Sequence, residues 1–284
     1  MIGLFDDAGA RLPITYNGVT LNSPTDNEND IIEVAEAVGG TTYDAVTDPR
    51  QLIDGMEAYP ARKIARSIVI RGTVRAPTIA RLYDRMEALA VAFDPALASL
   101  NNASTYGFLA FDFSVPTLDL TNYPSGLIPS RYYIRTLKPI DPPDSRYIGT
   151  SQHYEMTLLC RDPRRYLQST SSLADAGTAA NTKADYISWP TVTITMSGAG
   201  SATYQVTNST LGKSVYLDLS GRTGGDVVAV DMELKKVTIN GTENNGIVGA
   251  STQWWWIKPG NNTIAITNGT NASTSSVWRP AFVL

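Results

Sequence analysis

The sequence predicts a mainly β chain in two domains, an α+β domain followed by an antiparallel β-sandwich. Three observations carry this. Apolar and polar residues alternate almost without a break through the C-terminal third, the pattern of strands with one dry and one wet face. The N-terminal part holds several strand-like runs but a single segment of helical period. An apolar-poor stretch separates the two parts. The chain is 284 residues long and 43% hydrophobic, enough to fill two ordinary cores.

The N-terminal domain is expected over residues 1–168. It opens with Leu12-Pro13-Ile14-Thr15-Tyr16, then Asn17-Gly18, then Val19-Thr20-Leu21. Asn-Gly between short alternating runs is the strongest local hairpin signal. Asp26-Asn27-Glu28-Asn29-Asp30 looks like the start of a calcium loop. An EF-hand needs Gly at its sixth position and Glu at its twelfth, where Ile31 and Ala37 stand, so a solvated acidic turn is expected. Residues 64–74 read as a strand with Ile64, Ile68 and Ile70 on one face. After Pro77, Ile79, Leu82, Met86, Leu89 and Phe93 recur at helical steps, with Arg81, Asp84, Arg85 and Glu87 opposite. That spacing predicts one amphipathic helix lying across a sheet and closed by Asp94-Pro95. Residues 106–115, 131–137 and 153–160 supply three more strands. Strands with one covering helix make an α+β arrangement, not a doubly wound sheet.

Residues 169–187 carry one large apolar side chain, Leu173, until Tyr186, and read as a linker or extended connecting arm. The sandwich follows over 188–284. In Thr191-Val192-Thr193-Ile194-Thr195-Met196 the branched apolar residues share one face. Val215, Leu217 and Leu219 point inward, with Tyr216 and Asp218 outward. Val228, Val230 and Met232, then Val237 and Ile239, then Ile264 and Ile266 continue the pattern.

Catalytic and metal chemistry finds little to stand on. The one histidine, His153, and the one cysteine, Cys160, fall on the same strand at an odd spacing, so their side chains project to opposite faces and cannot form a dyad. Cys160 is expected as a small buried hydrophobe and His153 at the surface. One histidine also makes a histidine-based zinc site improbable. No catalytic, cofactor or metal residues are expected, and the chain reads as a non-enzyme. Charged residues are 18% and the formal net charge is -4, which argues against gripping phosphate backbones. The longest apolar run, residues 88–93, is far too short to span a bilayer. The N-terminus lacks a signal-peptide pattern, so a soluble, cytoplasmically folded protein is expected. Asn-x-Ser/Thr occurs at Asn102, Asn208, Asn240, Asn261, Asn268 and Asn271, read as turn and strand residues and not as glycan acceptors.

Trp254-Trp255-Trp256 is the sharpest local oddity. On a strand, Trp254 and Trp256 share one face and Trp255 takes the other. Core filling, a protein interface and a glycan platform all suit indoles, and the choice stays open. Two inward indoles, Trp254 and Trp256, would fill more core than one. Pro259-Gly260 turns the chain directly afterwards.

Several pieces in order resemble siphophage distal tail proteins. They are Leu52-Ile53-Asp54-Gly55-Met56, Tyr59-Pro60-Ala61-Arg62-Lys63 and Ile68-Val69-Ile70-Arg71-Gly72-Thr73-Val74, followed by one amphipathic helix. Cys160-Arg161-Asp162-Pro163-Arg164-Arg165-Tyr166 is similar to the Asp-Pro-basic close of that family's first domain. Val228-Ala229-Val230-Asp231 with Lys236-Val237-Thr238-Ile239-Asn240-Gly241 resembles the central hairpin of its galectin-like domain. Ile257-Lys258-Pro259-Gly260-Asn261-Asn262-Thr263-Ile264 resembles that domain's Pro-Gly-Asn turn and following strand. The triple Trp and the Thr/Asn/Ser-rich stretch after Ile266 depart from the pattern.

The resemblance implies an N-terminal β-sandwich or split barrel with one covering helix and a galectin-like C-terminal sandwich. It implies a structural protein of the virion tail, assembled in the host cytoplasm. Its N-terminal domain would make a homo-oligomeric ring, usually a hexamer, that joins the tail tube protein to the tail-tip hub and receptor-binding proteins. An acidic ring would let DNA pass without sticking. No sequence-specific nucleic acid and no membrane insertion are implied. Two rivals belong to other classes. One is a carbohydrate-binding accessory module built on the C-terminal sandwich and the Trp run. The other is a hydrolase acting through scattered carboxylates such as Asp218, Asp226 and Asp231.

Overall fold

The structure, a computed structural model, describes residues 4–25, 29–36, 43–44, 47–49, 56–58, 62–63, 66–96, 109–138, 149–160 and 164–282. The chain divides into two compact units, Met1–Arg165 and Tyr166–Leu284.

In the first unit, Asn17 (φ 46°) and Gly18 (φ 80°) take left-handed conformations, as a two-residue hairpin turn requires. They pair β1 (Ile14–Tyr16) with β2 (Val19–Leu21), Ile14 opposite Leu21. Next come β3 (Asn29–Glu36) and the short strands β4 (Tyr43–Asp44), β5 (Thr47–Pro49), β6 (Met56–Ala58) and β7 (Arg62–Lys63), which pair β4 with β7 and β5 with β6. Asp26, Asn27 and Glu28 of the expected acidic turn, and Ile64 of the expected strand, lie outside the described residues. Asn29 and Asp30 open β3.

β8 (Arg66–Arg75) buries Ile68, Ile70 and Val74. Helix α1 (Ile79–Ala92) is capped by Thr78, whose hydroxyl accepts the Arg81 N–H at 3.3 Å, which satisfies one of the free amides of the first turn. It buries Leu82, Met86, Leu89 and Ala92, while Ile79 in the first turn is exposed. Phe93 ends the helix and stacks on Tyr16 at 4.6 Å. The Asn17 amide donates to the Ala92 carbonyl at 3.0 Å, so the hairpin satisfies a group that the helix end leaves open.

β9 (Leu109–Pro116), β10 (Leu127–Lys138) and β11 (Ser151–Cys160) complete an antiparallel sheet in the order β2-β1-β9-β10-β11-β8-β3. The two ends of that order, β2 and β3, lie close together, so the sheet rolls into a split barrel. Tyr16, Phe111, Phe113 and Tyr132 form an aromatic row inside it, with neighbouring centroids 4.9 to 6.3 Å apart. On the outer face Arg131 grips Asp112 through two hydrogen bonds of 2.5 and 2.6 Å.

β12 (Arg165–Leu167) spans the boundary between the units. The second unit contains β13 (Ser171–Ala174), β14 (Gly177–Asn181), β15 (Thr191–Met196), β16 (Tyr204–Asn208), β17 (Lys213–Leu217) and β18 (Val227–Asp231). Then follow β19 (Lys236–Ile239), β20 (Thr242–Glu243), β21 (Gly260–Thr267), β22 (Ala272–Trp278) and β23 (Ala281–Phe282). Two antiparallel sheets, β13-β22-β15-β18-β19-β20 and β14-β21-β16-β17, make the sandwich. Val192, Ile194, Val228, Val230 and Val237 from one sheet meet Tyr204, Val206, Val215, Leu217 and Ile264 from the other, the interdigitated core of aligned sheets.

The linker expected over 169–187 is corrected. β13 pairs with β22 and β14 pairs with β21, so this stretch adds an edge strand to each sheet. The hinge between them is Asp175 (φ 54°), whose N–H donates to Thr274 O at 2.6 Å and whose carboxylate accepts Thr274 N–H at 2.8 Å. Small inward residues suffice there, with Ala179 and Asn181 fully buried. The Thr/Ser-rich stretch after Ile266 likewise forms β22, with Thr274, Ser276 and Trp278 inward. Among the described residues no helix is long and apolar enough to cross a membrane.

Candidate functional site

The Trp triplet lies in extended chain between Gly249 and β21, outside the strand ladders. Its two ends are tied. Gln253 N–H donates to Ser214 O at 2.7 Å, and Ile257 exchanges hydrogen bonds of 2.8 Å with Ser188. Gly249 packs so closely that a Cβ there would lie 2.9 Å from the Tyr216 Cβ. Its N–H donates to Tyr216 O at 2.9 Å, while Asp218 N–H donates to Ile247 O at 2.8 Å. Residues 247–253 therefore cover the free edge of β17, which would otherwise invite pairing with another chain.

The triplet is not the strand that the sequence predicts, yet its sides alternate, with the single Trp255 inward and not the Trp254–Trp256 pair. Trp255 is wholly buried, and its indole N–H donates to Val206 O at 3.2 Å. Trp254 and Trp256 are half-buried. Asn208, also wholly buried, donates to Trp256 O at 2.9 Å, and buried Asn262 accepts Lys258 N–H at 3.1 Å and donates to Lys258 O at 2.8 Å. Two buried amides thus bolt the segment and its Pro259-Gly260 turn (Gly260 φ 85°) to the sandwich.

Trp254 and Trp256 open onto a pocket of about 450 Å³ at one end of the sandwich, together with Trp189, Lys213, Lys235 and Gln253. Trp189, just ahead of β15, meets Trp256 edge-on at 5.5 Å and 68°. Lys213 holds its ammonium 4.0 Å from the centre of the Trp256 ring, a cation–π contact. Lys235 stands in the β18–β19 turn at φ 54°, where Asp231 accepts the N–H groups of Glu233 and Leu234, both at 2.9 Å.

Trp189, Lys213 and Lys235 were not foreseen from the sequence. Lys213 did carry a signal, for it occupies the inward parity of Val215 and Leu217 at the strand's end.

His153 is exposed and meets the Thr73 hydroxyl at 2.9 Å, while Cys160 is buried in the barrel core on the opposite face. Asp218 accepts the N–H and hydroxyl of Ser220, and Asp226 accepts Thr223 N–H and the Asn240 amide. These bonds hold both carboxyls below the ordinary aspartate value, opposite to what a catalytic acid needs. All three suspected carboxylates, Asp231 included, serve turns. Asn208 is buried with its amide engaged, and Asn240, Asn268 and Asn271 occupy left-handed positions (φ 50°, 58° and 62°). Asn102 lies outside the described residues.

Residues 183–282 match the family model "Siphovirus-type tail component, C-terminal domain". No curated protein sequence matches the chain. Among solved structures the chain is similar to the SPP1 phage Dit protein, described as a paradigm of the hub adsorption apparatus in phages that infect Gram-positive bacteria. That similarity has a TM-score of 0.62 and 18% identity over 96% of this chain and 99% of that one. A chain of the phage P2 baseplate in its calcium-activated conformation aligns over 94% of this chain and 97% of its own, with a TM-score of 0.49 and 7% identity. Residues 183–282 thus resemble a siphovirus-type tail component C-terminal domain, and the chain as a whole has the fold of SPP1 Dit.

Proposed function

We propose that this chain is a structural hub protein of a phage tail. Its first unit forms a homo-oligomeric ring, a hexamer, at the distal end of the tail tube. Its galectin-like second unit faces the adsorption apparatus. The carrying observation is the coincidence of a siphovirus tail domain at 183–282 with a whole-chain fold that follows SPP1 Dit. Its partners are then further copies of itself, the tail tube protein, and the tail-tip hub and receptor-binding proteins. It inserts in no membrane, reads no nucleic-acid sequence and catalyses no reaction.

One surface feature supports an assembling first unit. The β9–β10 loop exposes Leu118 (95%) and Leu120 (61%), yet it is internally braced. Thr117 N–H donates to Gly126 O at 2.9 Å, and Asp119 accepts the Asn122 N–H and side-chain amide. Apolar side chains on a rigid, exposed turn suit burial against a partner.

Native mass and class-averaged micrographs of the purified chain test the reading. Rings are expected, retained when residues after Tyr166 are removed and lost in Leu118→Asp/Leu120→Asp. A chain that stays monomeric across a wide concentration range, as a free-standing carbohydrate module would, overturns it.

A further inference from the structure

We propose that the pocket at the end of the C-terminal sandwich binds an anionic saccharide, a sugar ring bearing a carboxylate or phosphate, which packs on Trp254 and Trp256 and pairs its charge with Lys213 and Lys235. The inference goes beyond the ring, and its test does not use the oligomeric state.

Three features converge on it. The first is charge. The chain is net negative, yet the pocket is lined by two lysines and no carboxylate. Among the described residues neither lysine forms an ion pair. Of the acids of the neighbouring hairpin, Asp231 is engaged by its own turn and Glu243 by Lys236 at 2.7 Å, and Glu233 does not line the pocket. Two ammonium groups without a carboxylate partner, one from β17 and one from the β18–β19 turn, thus line one pocket, where an anion would gain from both.

The second is the platform. Buried Trp255 anchors the chain between Trp254 and Trp256, and Asn208 fixes the carbonyl of Trp256. The half-exposed indoles are therefore pre-positioned, which lowers the ordering cost of binding. Indole faces suit the C–H faces of a sugar ring, and the Gln253 amide offers polar partners for its hydroxyls.

The third is size and backbone. About 450 Å³ lies within the range of small-ligand pockets, about 300–1,000 Å³. The platform offers little strand edge. Gln253 N–H, Trp256 O and both backbone groups of Ile257 are already hydrogen-bonded inside the unit. A peptide adding as a strand finds the groups at both ends of the segment already taken, so a compact ligand fits better than an acidic peptide.

The test titrates the full chain with digalacturonate, glucose 6-phosphate, maltose and hexaglutamate, read by tryptophan fluorescence and calorimetry. At least one anionic sugar is expected to saturate, with affinity falling as salt rises, and the one that does identifies carboxylate or phosphate as the anion. Maltose should bind on the order of tenfold more weakly, and Lys213→Gln and Lys235→Gln should each weaken the anionic sugar by a similar factor. Trp256→Ala should abolish binding. Lys235 is exposed, so Lys235→Gln reports on the site without disturbing the fold. The proposal is overturned if neither anionic sugar saturates, if maltose binds equally well, or if the lysine variants bind like the parent. Lysine-dependent binding of hexaglutamate alone would make this an acidic-peptide site and sink the saccharide reading.

Discussion

Trp255 and Trp256 are adjacent in sequence and opposite in role. Cutting Trp255 to Ala empties the middle of the second core and strands the Val206 carbonyl, so a loss of about 3–5 kcal/mol is expected in urea melts. Trp254→Ala and Trp256→Ala should shift the same melts less, because both side chains keep part of their surface in solvent. Equal destabilisation by all three would contradict this geometry. The alternation was legible in the sequence. Its direction was not, since that depends on Val206 of β16 across the core. Acid sensitivity also belongs at this scale. Hydrogen bonding lowers the carboxyls of Asp218 and Asp226 from 3.8. A lowered folded value means that their contribution is fully present above the unfolded value and is lost as pH falls through the folded one. The loops at Ser220 and Thr223 should therefore loosen only below about pH 4, and Asp226→Asn should flatten that acid limb in a pH series of melts.

Among the elements, the β1–β2 hairpin, α1 and most strands of both units were legible because strong local signals agree with the fold: Asn-Gly, a helical apolar stripe and period-two alternation. β13, β14 and β22 were not. Apart from Trp278, their fully buried residues are Ala179, Asn181, Thr274 and Ser276, so the alternation exists in burial but hardly in hydropathy. Trp278 N–H donates to Asn181 at 3.2 Å, and Tyr204 shares a hydrogen bond with Thr274. Polar atoms thus replace the apolar signal that marks a buried strand. A test follows from the arm that proved to be structure. A fragment of residues 166–284 should fold cooperatively. One of residues 183–284, which matches the extent of the family domain but lacks β13 and β14, should melt lower and expose sheet edges prone to aggregation. Identical melts and light scattering would show the two strands to be dispensable.

For the whole molecule, the proposed ring makes folding and assembly separable in a test. Ile70 is fully buried in β8, so Ile70→Asp should abolish both, since an unpaired buried carboxylate costs several kcal/mol against a domain's slim stability. Leu118→Asp/Leu120→Asp should keep the melting temperature and lose only the ring, as seen by native mass. Within the second unit, Leu167 N–H donates to Pro280 O at 2.9 Å and Tyr186 bridges Ala281, so the first and last stretches of that unit run side by side. A unit gathered at one point in this way is a cartridge. Its sandwich could be exchanged for another, lengthened at any distal loop, or inserted into a foreign host protein across a gap no wider than two neighbouring strands. Selection could then replace what this unit touches while leaving the first unit unchanged.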